Sequence, residues 1–275
     1  MTGRAHEIYL HMREFLRYVF YLPYDAATYL TGRHKELVPP RRLMFIGSGD
    51  FKAIGEEFLN YFIDLGKLER DHAVLDVGCG IGRMAVPLTR YLTSGTYEGF
   101  DIVDKGVSWC QKKITSKHTN FQFHLADVYS RFYNPSGGHN ASEYIFPFAD
   151  KSFDFVIAIS VFTHMLPPDV TNYFSEVVRV LKSGGRAFIT CFLMNDDSSR
   201  LVDGGLSFFK FKSTPSGYWT VSQEDPESAL AFSESSIRKM YDGSRMKILD
   251  PIHFGSWSGR QQYLSFQDII VAEKE

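Results

Sequence analysis

Val74, Leu75 and Val77 form a short apolar run of the kind a strand shows when both of its faces are covered, and the run stops at Gly78. Met84-Ala85-Val86 then continues as the first turn of a helix. The same alternation recurs down the chain. Thr96 to Ile102 reads as a second strand, Phe121 to Val128 as a third and Ser152 to Ser160 as a fourth. Tyr173, Phe174, Val177, Val178 and Leu181 fall at helical spacing across 169–181, and Ser183-Gly184-Gly185 is the expected stop, glycine being favoured where a helix closes with positive φ. Arg186 to Phe192 supplies a fifth strand, and 246–253 with 266–272 suit an antiparallel closing pair. Strands alternating with helices predict an α/β fold with a doubly wound sheet covered on both faces.

In such sheets ligands lie beyond the carboxyl ends of the strands, where Gly78, Asp101, Asp127 and Ser160 all fall. Gly78, Gly80 and Gly82 allow a tight turn, and N–H groups there would face whatever occupies it. Spacing narrows the occupant. A dinucleotide fingerprint needs glycine at position 83, but the chain has Arg83, and Gly82 comes one residue early. No phosphate-binding loop ending in Gly-Lys-Ser/Thr is present. Asp76, just ahead of the glycines, would repel a pyrophosphate and suits a cationic amine. Asp101 follows 25 residues later, close to the roughly 20-residue offset at which a strand-end carboxylate meets a ribose. An ionised carboxylate can accept from both ribose hydroxyls.

The run VLDVGCGIGR at 74–83, the Phe148-Ala149-Asp150-Lys151 turn and the VLKSGGRAFIT stretch at 180–190 resemble the class I S-adenosylmethionine-dependent methyltransferases. The resemblance covers Leu68 to the C-terminus. It implies a Rossmann-like seven-stranded sheet, mostly parallel with an antiparallel C-terminal strand, and S-adenosyl-L-methionine as cofactor. It also implies that Asp127 accepts from the adenine amino group while the Val128 N–H reaches a ring nitrogen. The expected cofactor set is therefore Asp76, Gly78, Cys79, Gly80, Gly82, Arg83, Asp101, Ile102, Asp127, Val128 and Ser160. Residues 1–67 form an N-terminal helical cap or lid, and 68–275 the methyltransferase domain with a substrate-cap insertion at about 193–232.

Composition excludes several classes. The 275 residues suit one large domain or a core with appendages, and 44% hydrophobic residues suffice for a sizeable core. No cleavable leader and no apolar run of about 18 residues is present. Cys79, Cys110 and Cys191 do not form a disulfide staple pattern, so reduced thiols and a cytoplasmic location are expected. A net charge of −2 argues against a broad nucleic-acid surface. The short basic stretch Arg33-His34-Lys35 with Arg41-Arg42 reads as a solvated linker. No Cys/His cluster has metal-ligand spacing.

Three segments decorate the predicted core. The aromatic stretch from Ile8 to Leu22, stopped by Pro23 and interrupted by Arg13 and Arg17, suits a helix packed over a domain or a dimer partner, with peripheral membrane contact the other reading. Phe45 to Phe51 suits a flexible lid or a plain connector, and Tyr129 to Tyr144 is a long loop. Ser207 to Lys212 and Gly217 to Val221 suit a hairpin in an insertion whose aromatic content fits an apolar, aromatic or sugar-like acceptor. His164, just after the fourth strand, is the candidate general base, with His253 second and His124 structural. The reading is methyl transfer to a small molecule, oxygen before nitrogen as acceptor atom. Its alternatives are a lipid or glycan acceptor, and a non-catalytic module that binds S-adenosylmethionine for regulation. A nicotinamide dehydrogenase is disfavoured by Asp76 and Arg83. Oligomeric state and acceptor identity are not encoded in any motif.

Overall fold

The strand β1 (Ala73–Val77) has four fully buried residues in a row, as its apolar run requires, because both of its neighbours and both faces are occupied. A computed structural model describes residues 3–32, 36–47 and 49–275, with side chains at 12 and from 16 onward. Beyond β1 come α3 (Ala85–Tyr91), β2 (Thr96–Asp101), α4 (Asp104–Cys110), β3 (Phe121–Leu125), β4 (Phe153–Ala158), α5 (Pro167–Val180) and β5 (Leu181–Cys191). Ahead of β1 lie α1 (Gly3–Leu30) and α2 (Phe51–Asp64). After β5 come β6 (Leu193–Met194), α6 (Asp196–Asp203), β7 (Lys212–Ser213), β8 (Tyr218–Thr220), β9 (Leu230–Ser233), α7 (Glu234–Asp242), β10 (Met246–Ile248) and β11 (Asp268–Lys274).

Seven strands form the main sheet in the order β10-β11-β5-β4-β1-β2-β3. Among the strands of this sheet β11 alone points against the other six, pairing antiparallel with β5 on one side and β10 on the other. The order reverses direction between β1 and β4, which places a ligand crevice beyond their carboxyl ends. Alternating side chains feed two cores. Phe155 and Ile157 of β4 join Phe58 and Phe62 of α2, with the Phe62 and Phe188 rings 4.9 Å apart. Val156 and Ala158 face α5 and α7, where Phe174 meets Tyr241 at 4.5 Å.

Local boundaries differ from the expectation in two places. Pro167 and Pro168 start α5 two residues early, since proline fits a first helical turn and Asp169 accepts the Leu166 N–H. The helix then stops at Val180 rather than at the glycines. Leu181 is already extended and paired with Phe153, so Gly184 (φ +77°) shapes an irregularity within β5. The Val178 carbonyl in the last turn of α5 and the Leu181 carbonyl just beyond it accept from the Lys274 ammonium instead. The expected hairpin survives only as β7–β8 in a small sheet ordered β6-β9-β8-β7. Phe208, Phe209 and Phe211 take no strand pairing, and their rings pack with one another and with Phe192.

The N-terminal helix is tied down at Asp25, whose carboxylate accepts from the Arg41 and Arg42 N–H groups and from the Arg42 guanidinium. Arg41 also lies over the Tyr24 ring, so these two arginines anchor a helix rather than line a solvated linker. Arg33, His34, Lys35 and Ser48 lie outside the described residues, as do the side chains of Ile8-Tyr9-Leu10 and Arg13. Leu16, Val19, Phe20 and Leu22 are exposed. Among the described residues no helix is long and apolar enough to cross a membrane.

Asp268 joins the two sheets. Its buried carboxylate accepts the Leu193 and Gly255 N–H groups at 2.6 Å each and the Trp257 indole N–H at 2.9 Å. Asp268→Ala leaves three buried donors unpaired, and equilibrium urea unfolding is expected to show a loss of about 3 kcal/mol or more.

Candidate functional site

Gly78, Gly80 and Gly82 turn the chain out of β1 with φ of +72°, +59° and +79°. Because β2 lies beside β1, the turn crosses the end of β2 and bonds to it. The Gly78 and Cys79 N–H groups both donate to the Phe100 carbonyl at 2.9 Å, and the Gly80 N–H donates to Asp101 Oδ2 at 2.7 Å. The Gly82 N–H closes onto the Cys79 carbonyl. Four N–H groups of the loop, those of Gly78, Cys79, Gly80 and Gly82, are thus used within the protein, contrary to the expectation that they face a ligand. A pyrophosphate here would meet carboxylates instead of N–H groups.

Two of the expected acids sit together at this turn. Asp76 is buried and accepts the Tyr97 hydroxyl at 2.5 Å, and burial pushes its carboxyl up to about 7, with the nearby Asp101 charge adding to the shift. Asp101 accepts from Gly80 and, at 2.8 Å, from the Val103 N–H; burial pushes it up to about 6 against these donors. The Ile102 N–H adds a third. Three donors leave room for about one more on a carboxylate with roughly four lone-pair sites.

A cavity of about 960 Å³ opens over these groups. Its walls include Asp76, Gly78, Cys79, Gly80, Arg83, Asp101, Ile102, Val128 and Ser160 from the expected set. Gly82 and Asp127 are not on the wall. Asp127 is exposed, and its carboxylate accepts the Gly138 N–H at 2.9 Å. Arg83 donates to the Gly47 carbonyl at 2.8 Å, which draws the segment before α2 across the glycine turn. Ile46 of that segment stands where a side chain on Gly80 would reach it. Ser160 (φ +61°) is held by its N–H on Thr190 and its hydroxyl beneath the Gln267 amide, 2.8 and 2.7 Å.

The same cavity is also lined by His164, Asp169, Glu227 and Tyr133. His164 Nδ1 lies 2.9 Å from the Glu227 carbonyl, and the Tyr133 ring packs edge-on against the imidazole. A carbonyl only accepts, so Nδ1 carries the proton and Nε2 keeps its lone pair. Burial lowers the His164 pKa, which keeps the ring neutral at pH 7. Burial raises the carboxyls of Asp169 and Glu227, and the Asp169 charge adds to the shift at Glu227. His253 and His124 stand off the wall; His124 meets Glu98 at 2.5 Å on neighbouring strands. Asp169 reads in sequence as a helix-start acid, and Glu227 sits in a polar loop without periodicity, so neither carries a signal that a linear reading detects. One trio of close potential metal ligands, Glu69, Asp71 and His72, lies at the opposite, amino end of β1.

The donor chemistry fits a cofactor with a sulfonium and an amine: buried carboxyls are at hand and free loop donors for phosphate are not. Comparison with known proteins agrees. Residues 75–189 match the family model described as a methyltransferase domain. The methyltransferase GfsG of Streptomyces halstedii is 29% identical over 156 residues, 54% of this chain and 50% of that protein. A fatty-acid O-methyltransferase of Mycolicibacterium smegmatis is 31% identical over 113 residues, 41% of this chain and 34% of that protein. The chain therefore spans half the length, or less, of these curated relatives. In fold it resembles the magnesium protoporphyrin IX methyltransferase of Synechocystis PCC 6803, with a TM-score of 0.53 and 17% identity over 94% of this chain and 99% of that one. Residues 75–189 thus carry a methyltransferase domain, and the relatives and the fold support a class I S-adenosylmethionine-dependent enzyme.

Proposed function

We propose that the protein transfers a methyl group from S-adenosylmethionine to a hydroxyl oxygen of a small-molecule acceptor, with nitrogen as the second choice of acceptor atom. The observation that carries this reading is the His164 imidazole, held neutral with Nε2 as its basic nitrogen, in the same cavity as Asp76 and Asp101. A pocket kept only for binding the cofactor needs no oriented base.

In this reading Asp101 accepts one ribose hydroxyl, Asp76 faces the cationic amine, and adenine lies against Ile102 and Val128. Asp127, turned to Gly138, supports the loop that carries Val128. Ile46 and Gly47 cover the turn, and residues before β1 together with the 193–232 insertion serve as the walls that exclude water. The cofactor supplies an electrophilic methyl whose bonding pair stays with the departing sulfur, and the acceptor proton passes to His164 Nε2. Three buried, unpaired cysteines suit a reducing compartment, and we place the protein in the cytoplasm.

A bound cation favours the ionised form of both buried acids, so cofactor affinity should rise with pH and level off above the pKa of Asp76, about 7. Isothermal titration with S-adenosylmethionine between pH 5.5 and 8.5 is expected to show this rise, and Asp76→Asn is expected to flatten its upper part. Asp101→Asn puts an amide where Gly80 and Val103 need acceptors, and a loss of affinity of about tenfold or more is expected in the same titration. His164→Gln should lower kcat by about 10²-fold or more while leaving the S-adenosylhomocysteine dissociation constant within about twofold. The acid limb of the wild-type rate profile, set below pH 6.5 by burial of the imidazole, should vanish with it; unchanged turnover would remove His164 from the chemistry.

A further inference from the structure

The cavity does not end in a closed wall of aromatic residues. Phe208 and Phe266 line it, yet they are 73% and 40% exposed, and their rings meet edge-on at 5.3 Å. Leu206 and Leu264, two residues away on each side, are 67% and 41% exposed. The result is an apolar path that runs from the inside of the cavity to the surface. Its backbone is firmly held: the Phe208 N–H donates to Trp257 at 2.7 Å, the Leu264 carbonyl accepts the Tyr61 hydroxyl at 2.5 Å, and Gly259 packs directly under Leu206. Core formation does not require these exposed rings, and contiguous exposed apolar surface on a cavity rim marks a binding path.

Charge supplies the second constraint. Among the described residues, five carboxyl groups line the cavity against one guanidinium, that of Arg83, whose Nη2 donates to the Gly47 carbonyl. An anionic head group would therefore meet carboxyl groups in excess of cations on this wall. A cationic one has little to gain at the acceptor end. Asp169 already accepts the Leu166 and Ser142 N–H groups and Glu227 accepts that of Arg131, while burial biases both toward the neutral form.

Resting on the methyl-transfer reading above, we propose that the acceptor is an uncharged long-chain alcohol, whose hydroxyl reaches His164 while its hydrocarbon chain leaves the cavity between Phe208 and Phe266. The occupant of the exposed apolar rim is thus the tail of the substrate itself. A free fatty acid, the acceptor named for one curated relative, is rejected by its charge.

The test is displacement of the neutral fluorophore N-phenyl-1-naphthylamine at pH 7.5 from protein saturated with S-adenosylhomocysteine. Decan-1-ol should displace it at a concentration about tenfold or more below that for hexan-1-ol, because four further methylenes are buried. Decanoate should be about tenfold or more weaker than decan-1-ol, and decylamine should be no tighter than the alcohol. In Phe208→Ser, and more so in Phe208→Ser/Phe266→Ser, the decanol-to-hexanol ratio should fall to about threefold or less while the thermal shift with S-adenosylhomocysteine stays. Decanoate or decylamine outcompeting decan-1-ol, or a chain-length ratio unchanged in both variants, would overturn the proposal. Absence of a thermal shift with S-adenosylhomocysteine in the wild type would overturn the cofactor reading itself, before any alcohol is added.

Discussion

The end of β2 holds the site together. Phe100 offers its carbonyl and Asp101 its carboxylate to three consecutive N–H groups of the glycine turn, and this fixes the path of the chain between β1 and α3. Positive φ at Gly78 and Gly80 is what lets that turn lie flat across its neighbour strand. Once the turn is fixed, Arg83 is placed to reach Gly47, Ile46 closes over Gly80, and Val161 fills the space that a side chain at position 78 would take. A change at Asp101 therefore acts on the loop and on the ligand together.

This arrangement explains why the site selects charge as it does. A dinucleotide turn presents N–H groups to phosphate at a helix start. Here the same groups are satisfied internally, and two carboxyls buried within one turn face the cavity. Burial alone disfavours their ionisation, and Asp101 raises Asp76 further. A positive charge placed beside these two acids would favour their ionised form.

The sheet was legible in the sequence because its signal is local. Five apolar runs between 74 and 192, each followed by a helical stretch or a turn, fit only a wound parallel sheet, and β1 to β5 appear where those runs lie. The glycine spacing and Asp76 were legible as chemistry for the same reason. What could not be read was long-range. The Phe100 carbonyl meets a turn some twenty residues earlier, and His164 finds its partner in a carbonyl at 227, which has no side-chain signature. The glycines at 184 and 185 resemble a helix stop, but strand pairing of Leu181 with Phe153 overrides that local preference. Likewise the aromatic run at 208–211 has strand-like composition, yet ring packing with Phe192 and Trp257 wins over ladder pairing.

The two ends of the cavity are therefore built on different physics. At the donor end, main-chain hydrogen bonds between adjacent strands hold buried acids in place, and small displacements are resisted by several bonds at once. Around His164, the walls come from three separate connections, near residues 133, 208 and 227, joined by ring contacts and by a single carbonyl to the imidazole. Ring contacts are less directional than hydrogen bonds, so this end can be reshaped by substitution without disturbing the turn beneath it. One link joins these two parts of the cavity. His164 follows directly from β4, whose end also carries Ser160 beside the donor site, while its tautomer is set by Glu227 from the insertion. The imidazole thus ties the connection around residue 227 to the carboxyl end of β4.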